Sequence, residues 1–134
     1  MKHFTPRTIV AALLVLAIIF GYLLTPLGLE PRTSDLRTYA IVPFFITASL
    51  GLPIAAAIFL FIKPRLAGIF VVINAIIMLF LVAGDQGGFF FTTPPPTAIT
   101  VLEFLSIIVS IGFLLYGPQL YRTRMIQTKR TTKK

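Results

Sequence analysis

Four long apolar runs, separated by short polar segments, make up most of the chain. A membrane hydrocarbon core of about 30 Å requires about 20 helical residues at a rise of about 1.5 Å each, and each run is about that long. The pattern predicts four transmembrane helices near residues 8–24, 39–62, 66–84 and 97–117, with each boundary placed to within about 2 to 4 residues. We expect an all-α integral membrane protein in which these helices form two antiparallel helical hairpins.

The second run contains two prolines, Pro43 and Pro53. A proline lacks a backbone N–H and kinks a helix, and membrane helices tolerate this when neighbouring groups bond the freed carbonyls. We therefore expect one bent helix over this run, and not two strands.

The composition agrees with a membrane location. Hydrophobic residues make up 57% of the 134 residues and charged residues 12%, whereas a soluble domain carries about 25% charged residues. Outside a four-helix domain at 8–117 there remain only a basic leader at 1–7 and a tail at 118–134. These numbers argue against a water-soluble globule and against a sizeable extramembrane domain.

The placement of Lys and Arg predicts the orientation. Ten of the twelve basic residues fall in the leader, in the turn after the second run and in the tail. Because cytoplasmic segments carry the excess of Lys and Arg, both termini are predicted to be cytoplasmic.

The tail is also a candidate lipid contact, because basic clusters attract anionic headgroups and no acid lies among them. Nucleic acid is not expected as a partner, because the tail lacks interleaved aromatic residues for base stacking. The six basic residues that we expect to contact anionic lipid are Arg122, Arg124, Lys129, Arg130, Lys133 and Lys134.

Several chemistries are excluded by missing residue types. The chain has no Cys, one His (His3) and four acidic residues, and it contains no phosphate-binding or dinucleotide-binding glycine motif. Thiolate nucleophiles, Fe–S clusters, cysteine zinc sites and His-rich metal sites are therefore not expected within the chain. We expect no enzyme activity, no metal and no cofactor of its own, but we do expect bound lipids.

Polar residues inside the predicted spans are few. Glu103 is the only ionisable residue in any predicted span, and Asn74 is the only amide. Thr100, Ser106 and Ser110 share a helix face with Glu103, because their spacings of three and four keep them within an arc of about 120°. Two interpretations remain open: the set joins helices or subunits through hydrogen bonds, or it forms a proton or ion site.

The loop at residues 85–96 places Phe89, Phe90 and Phe91 between a glycine pair and three prolines. Aromatic side chains gather at the membrane interface, so the three rings are candidate interface anchors. Exposed apolar clusters also mark interaction sites, which makes the rings candidate contacts with a partner subunit.

From these features we expect a non-catalytic accessory subunit of a larger multisubunit membrane complex, possible hosts being respiratory or other membrane-bound oxidoreductase complexes. Its partners would be other integral membrane subunits and membrane lipids. One alternative is a small homo-oligomeric transporter or channel that uses Glu103. Another is a membrane anchor whose basic tail recruits a cytoplasmic protein.

Overall fold

The computed structural model describes residues 5–24, 40–90 and 97–132, with side chains in the last helix described as far as Arg122. Over these residues the chain is all-helical. Four helices are long and apolar enough to cross a membrane. We name them α1 (Pro6–Leu24), α2 (Ile41–Ile62), α3 (Pro64–Gln86) and α4 (Thr97–Thr132), the membrane-compatible part of α4 being Thr97–Arg122.

Helix α1 begins two residues before the predicted span. The side chain of Thr5 accepts a hydrogen bond from the backbone N–H of Thr8 at 3.3 Å, and Pro6 takes the first helical position, where a missing N–H costs no helix bond. The helix therefore has a capped start within the basic leader.

Helix α2 is continuous but changes its winding between its two prolines. An α-helical segment, Ile41–Ile46, leads into a π-helical turn, Thr47–Gly51, and the α-helix resumes over Leu52–Ile62. The N–H of Leu52 bonds to the carbonyl of Thr47, five residues earlier, which is the bond of a π-turn. The irregularity expected from the prolines is thus a wider turn within one helix.

Helix α3 ends at Gln86, two residues beyond the predicted span. The N–H of Phe89 bonds to the carbonyl of Gly84 at 2.9 Å and the N–H of Gly88 to that of Asp85 at 3.1 Å. Gly88 has a φ of +76°, a left-handed conformation that glycine adopts without a Cβ clash. These are the bonds of a Schellman motif, which ends a helix at a glycine.

Helix α4 passes through Pro118 and continues to Thr132. The sequence predicts that the last span ends at residue 117 and that residues 118–134 form a separate tail. In the structure most of that tail prolongs the helix, because a proline removes one backbone bond without forcing a membrane helix to stop.

The helices pack around two groups of buried apolar residues. The first group is contributed by all four helices and includes Val10, Leu14, Val71 and Phe113. The second lies among α2, α3 and α4, with Ile41, Ala48, Met78, Leu81 and Val82 as its buried members.

Glycines allow the closest backbone approaches. A Cβ placed on Gly21 of α1 would lie 1.8 Å from the carbonyl oxygen of Ser49, so α1 contacts the π-turn directly. A Cβ on Gly68 of α3 would lie 2.6 Å from the carbonyl oxygen of Gly117 in α4. Small residues permit this kind of contact between membrane helices.

Candidate polar site inside the helix bundle

The buried acid Glu103 lies between α4 and the end of α3. Only 4% of its surface is exposed, and its Oε2 accepts a hydrogen bond from Nε2 of Gln86. Because an acid in hydrocarbon is costly unless it is paired, a partner from the neighbouring helix makes this position tolerable.

The Schellman end of α3 supplies that partner. Because the helix reaches Gln86, it also contains Asp85, whose exposed fraction is 2%. The sequence predicts that Asp85 lies in the loop and that Glu103 is the only ionisable residue within the spans. Asp85 belongs to the last turn of α3 instead. The glycine pair Gly87 and Gly88 was the available signal, because a glycine just after a helix favours a Schellman end.

Asn74 joins α3 to the π-turn of α2. Its Nδ2 donates a hydrogen bond to the carbonyl of Ala48 at 2.5 Å. Since the N–H of Leu52 bonds to Thr47, it does not complete the α-helical bond to Ala48. The next candidate donor, at Pro53, has no N–H. The side chain of Asn74 therefore takes the place of a missing helix donor.

The predicted polar face of α4 does point into the bundle. Glu103, Ser106 and Ser110 are buried, and Thr100 is partly buried. The hydroxyl of Ser106 donates to the carbonyl of Leu102 in its own helix at 2.9 Å. A buried serine with a bond inside its own helix requires no partner on another helix.

A small cavity lies between the part of this face that contains Ser106 and Ser110 and the neighbouring helices. Its volume is about 10 Å³, and the polar groups on its wall come from Asn74, Ser106 and Ser110, with Ala17, Ala48 and Phe113 among the apolar wall residues. A cavity needs about 10 to 15 Å³ to hold one water molecule. The space is thus at the lower limit for a single bridging water and is far too small for a solute path.

Asn74 and Glu103 bond to different parts of the bundle. Asn74 bonds to α2 and Glu103 bonds to the last turn of α3. Twelve residues of α3 separate Asn74 from Gln86, which corresponds to about 18 Å along the helix. These hydrogen bonds of Asn74 and Glu103 therefore lie in separate parts of the interior.

The three phenylalanines of the loop differ in their placement. Phe89 is 72% exposed. Phe90 is partly buried and packs on Gly84, with its ring 6.0 Å from that of Phe45 in an edge-to-face arrangement and 6.1 Å from that of Phe80. Phe91 lies outside the described residues. Among the described pair, only Phe89 is open to a partner.

The predicted lipid contacts of the tail are described only in part. Arg122 is exposed. Arg124, Lys129 and Arg130 belong to the helical backbone of α4, and their side chains lie outside the described part. Lys133 and Lys134 lie outside the described residues.

No protein-family model, curated protein or solved structure matches this chain.

Among the described residues, the polar groups of the interior do not extend to the part of the bundle near the start of α3. Toward the start of α3, the space between the helices is filled by the side chains of Val10, Leu14, Val71 and Phe113, each exposed by 2% or less. Protons and ions require a chain of polar groups or water to cross a membrane. As described, the bundle offers buried hydrogen bonds between helices and an apolar barrier beyond them.

Proposed function

We propose that the chain is a non-catalytic accessory subunit of a larger multisubunit membrane complex, of the kind found among respiratory and other membrane-bound oxidoreductases. The observation that carries this proposal is the closed interior of the bundle. Its hydrogen bonds join its own helices, and among the residues that the structure describes the apolar side chains around Phe113 close the space between the helices. Such a bundle is suited to holding a shape against which other subunits pack.

The proposed arrangement is two antiparallel hairpins with both termini in the cytoplasm. Contacts at two heights support the antiparallel pairing of α3 with α4: Gly68 meets Gly117, and Gln86 meets Glu103. The exposed basic residues Lys63, Arg65 and Arg122 then lie at one end of the bundle and Glu103 near the other. By the positive-inside rule, the basic end faces the cytoplasm.

The outer surface supports contact with lipid or with other membrane subunits. Large apolar side chains project from every helix, including Ile19, Phe61, Phe80 and Ile108, which are about half exposed or more. At the loop after α3, Phe89 adds an exposed ring beyond the helix end. We assign the predicted partner contact to Phe89, because the ring of Phe90 already packs against its own chain.

Gentle detergent extraction from the native membrane, followed by native electrophoresis and mass spectrometry, tests the proposal. We expect the chain to migrate with other membrane subunits in a fixed ratio. Migration as a lone monomer or as a pure homo-oligomer would overturn the proposal.

Single alanine variants locate the contact within the same experiment. Phe89→Ala should release the chain from the complex while leaving its thermal stability in detergent unchanged. Phe90→Ala should lower that stability, because it removes the ring that packs on Phe45 and Phe80. Phe61→Ala is the matched control, since Phe61 is 78% exposed but distant from the loop. Equal effects of Phe89→Ala and Phe61→Ala would exclude a contact specific to the loop.

The second candidate function is a homo-oligomeric transporter or channel, and the burial of Asp85 and Glu103 in neighbouring helix segments favours it. Proton or ion flux into proteoliposomes, measured for the parent chain and for the Glu103→Gln variant, distinguishes the two functions. The variant retains an oxygen that accepts the bond from Gln86, so the fold should persist. Flux that is present in the parent chain and abolished in this variant would establish the transporter, whereas absence of flux in both supports the accessory subunit.

A further inference from the structure

A second feature, distant from the polar interior, is a groove on the outside of the bundle. It runs between α3 and α4 near the start of α3 and has a volume of about 250 Å³. Its wall includes Gly68, Ile69, Ile73, Pro118, Tyr121 and Arg122. Its walls belong to two helices that are long and apolar enough to cross a membrane, so a bilayer around these helices would give lipid access to the groove.

The sequence explains why a groove forms there. Gly68 and Gly117 bring the two backbones together but contribute no side chains that would fill the outer side of the contact. Ile69 and Ile73, each 42% exposed, line α3, and Pro118 lines α4. The part of the groove that these three residues line is thus hydrocarbon.

One end of the groove is cationic. The guanidinium carbon of Arg65 lies 4.2 Å from the centre of the Tyr121 ring, which is itself a wall of the groove. Arg122 is the next residue and also lines the groove. A cation held over an aromatic face is attracted by the ring. The contact therefore keeps Arg65 beside the mouth of the groove.

No described carboxylate neutralises this rim. The two acids among the described residues, Asp85 and Glu103, lie 20 residues from Arg65 along α3 and 19 residues from Arg122 along α4. At about 1.5 Å per residue these separations are close to 30 Å. An apolar groove that ends at two guanidiniums, with no carboxylate of the described residues nearby, is complementary to an amphiphile with an anionic head.

We propose that this groove is a binding site for an anionic phospholipid, with one acyl chain along Ile69 and Ile73 and the phosphate held by Arg65 and Arg122. Guanidinium groups suit this role because they donate paired hydrogen bonds to phosphate oxygens. The site requires a bilayer around the helices but is independent of the accessory-subunit role. The site shares Arg122 with the lipid contacts expected from the sequence, but it adds Arg65 of α3 and a defined place for the acyl chain, neither of which the tail provides.

Lipid retention by the purified full-length chain tests the proposal. Native mass spectrometry would compare phosphatidylglycerol with phosphatidylcholine of the same acyl chains. We expect preferential retention of phosphatidylglycerol, reduced about fivefold by Arg65→Gln or Arg122→Gln, in line with about 1 kcal/mol per basic residue near an anionic surface. Lys63→Gln is the matched control: Lys63 is an exposed cation two residues from Arg65, whereas Arg65 is the one that lies over the groove wall at Tyr121. Equal loss in Lys63→Gln would overturn the proposal.

Two further variants separate the groove from its alternatives. Ile69→Trp should fill the groove and lower phosphatidylglycerol retention, whereas Ile108→Trp, on an exposed face of α4 outside the groove, should not. Unchanged retention in Ile69→Trp, together with displacement of the lipid by millimolar inorganic phosphate, would mean that the rim binds phosphate alone. Replacing Arg124, Lys129, Arg130, Lys133 and Lys134 with Gln should leave the preference intact. If this tail variant lost the preference for phosphatidylglycerol and Arg65→Gln did not, lipid binding would belong to the tail.

Discussion

The two ends of the bundle fill their interiors in different ways. Near the start of α3, Val10, Leu14, Val71 and Phe113 pack as hydrocarbon against hydrocarbon. Toward its end, the space between the helices also contains Asn74, Ser106, Ser110 and Glu103, together with a cavity of about 10 Å³. The apolar end is stabilised by close packing. Lipid tails are as apolar as these side chains, so only packing makes the associated helices more stable than separated helices in lipid. The polar end adds hydrogen bonds between helices. The contribution of each bond to the unfolding free energy depends on whether its acceptor has another donor within reach.

The largest effect is expected at the apolar end, for Phe113→Ala. The ring is 1% exposed, and its removal leaves a cavity. We expect a loss of roughly 3 kcal/mol in unfolding free energy, the low end of the range for Phe→Ala. The loss is at the low end because the ring of a separated helix would contact lipid and not water, so only the packing contribution is lost. Thermal unfolding in detergent, followed by circular dichroism, measures it. Leu115→Ala, with a side chain 61% exposed on the same helix, should change little. An equal loss in both variants would contradict the distinction between interior and surface.

The next effect is expected where α1 meets the π-turn. Gly21→Ala places a methyl group against the carbonyl of Ser49, and because backbone cannot yield as a side chain does, the helices must separate. We expect a loss of about 1 to 3 kcal/mol, as for overpacked cores. Gly51→Ala is the control, since its Cβ would meet only the carbonyl oxygen of Ile46, at 4.0 Å. The same melting experiment compares them, and a stable Gly21→Ala variant would contradict direct backbone contact.

A smaller effect is expected at Asn74. Asn74→Leu removes the donor to Ala48, and hydrogen bonds between membrane helices average about 0.6 kcal/mol with a maximum of about 1.7. Pro53→Ala restores a backbone N–H in α2, so the loss from Asn74→Leu should shrink in that background. A double-mutant cycle on melting temperature measures the coupling between the two sites. Strict additivity would show that Asn74 does not substitute for the donor that Pro53 lacks.

The smallest effect is expected for Ser106→Ala. Its hydroxyl bonds to Leu102 within the same helix, and back-bonding of this kind slightly destabilises a helix. We expect a change within about 0.5 kcal/mol, as for substitutions away from specific features. A loss comparable to that of Asn74→Leu would indicate a hydrogen bond from Ser106 to another helix, and hydrogen exchange of the α4 amides would locate it.

The coarse fold follows from the sequence because the length of an apolar run is a direct physical requirement of the bilayer. Four runs predict four membrane-compatible helices, which the structure contains. The polar face of α4 could also be predicted from the sequence, because helical periodicity places Glu103, Ser106 and Ser110 on one side of the helix. Both inferences require only local information.

The partners of the polar groups depend on details that periodicity does not contain. Gln86 bonds to Glu103 from the last turn of α3, which continues two residues beyond the predicted span before Gly88, in a left-handed conformation, ends it. Asn74 bonds to Ala48 only because a π-turn and Pro53 leave that carbonyl without its helix donor. The different placement of Phe89 and Phe90 is likewise not contained in the periodicity. It depends on the backbone path of the Schellman motif, which directs the ring of Phe90 toward the helices and leaves that of Phe89 exposed.

The π-turn of α2 also has a consequence for insertions and deletions. A π-turn holds one residue more than an α-turn, and one residue corresponds to a rotation of about 100° around the helix. The segments before and after it therefore present faces whose phases differ by that angle, which lets Ile41 and Leu60 both reach the interior. A homologue lacking one residue within 47–51 would carry an unbroken α-helix and would need a different set of inward-facing positions on one side of the deletion.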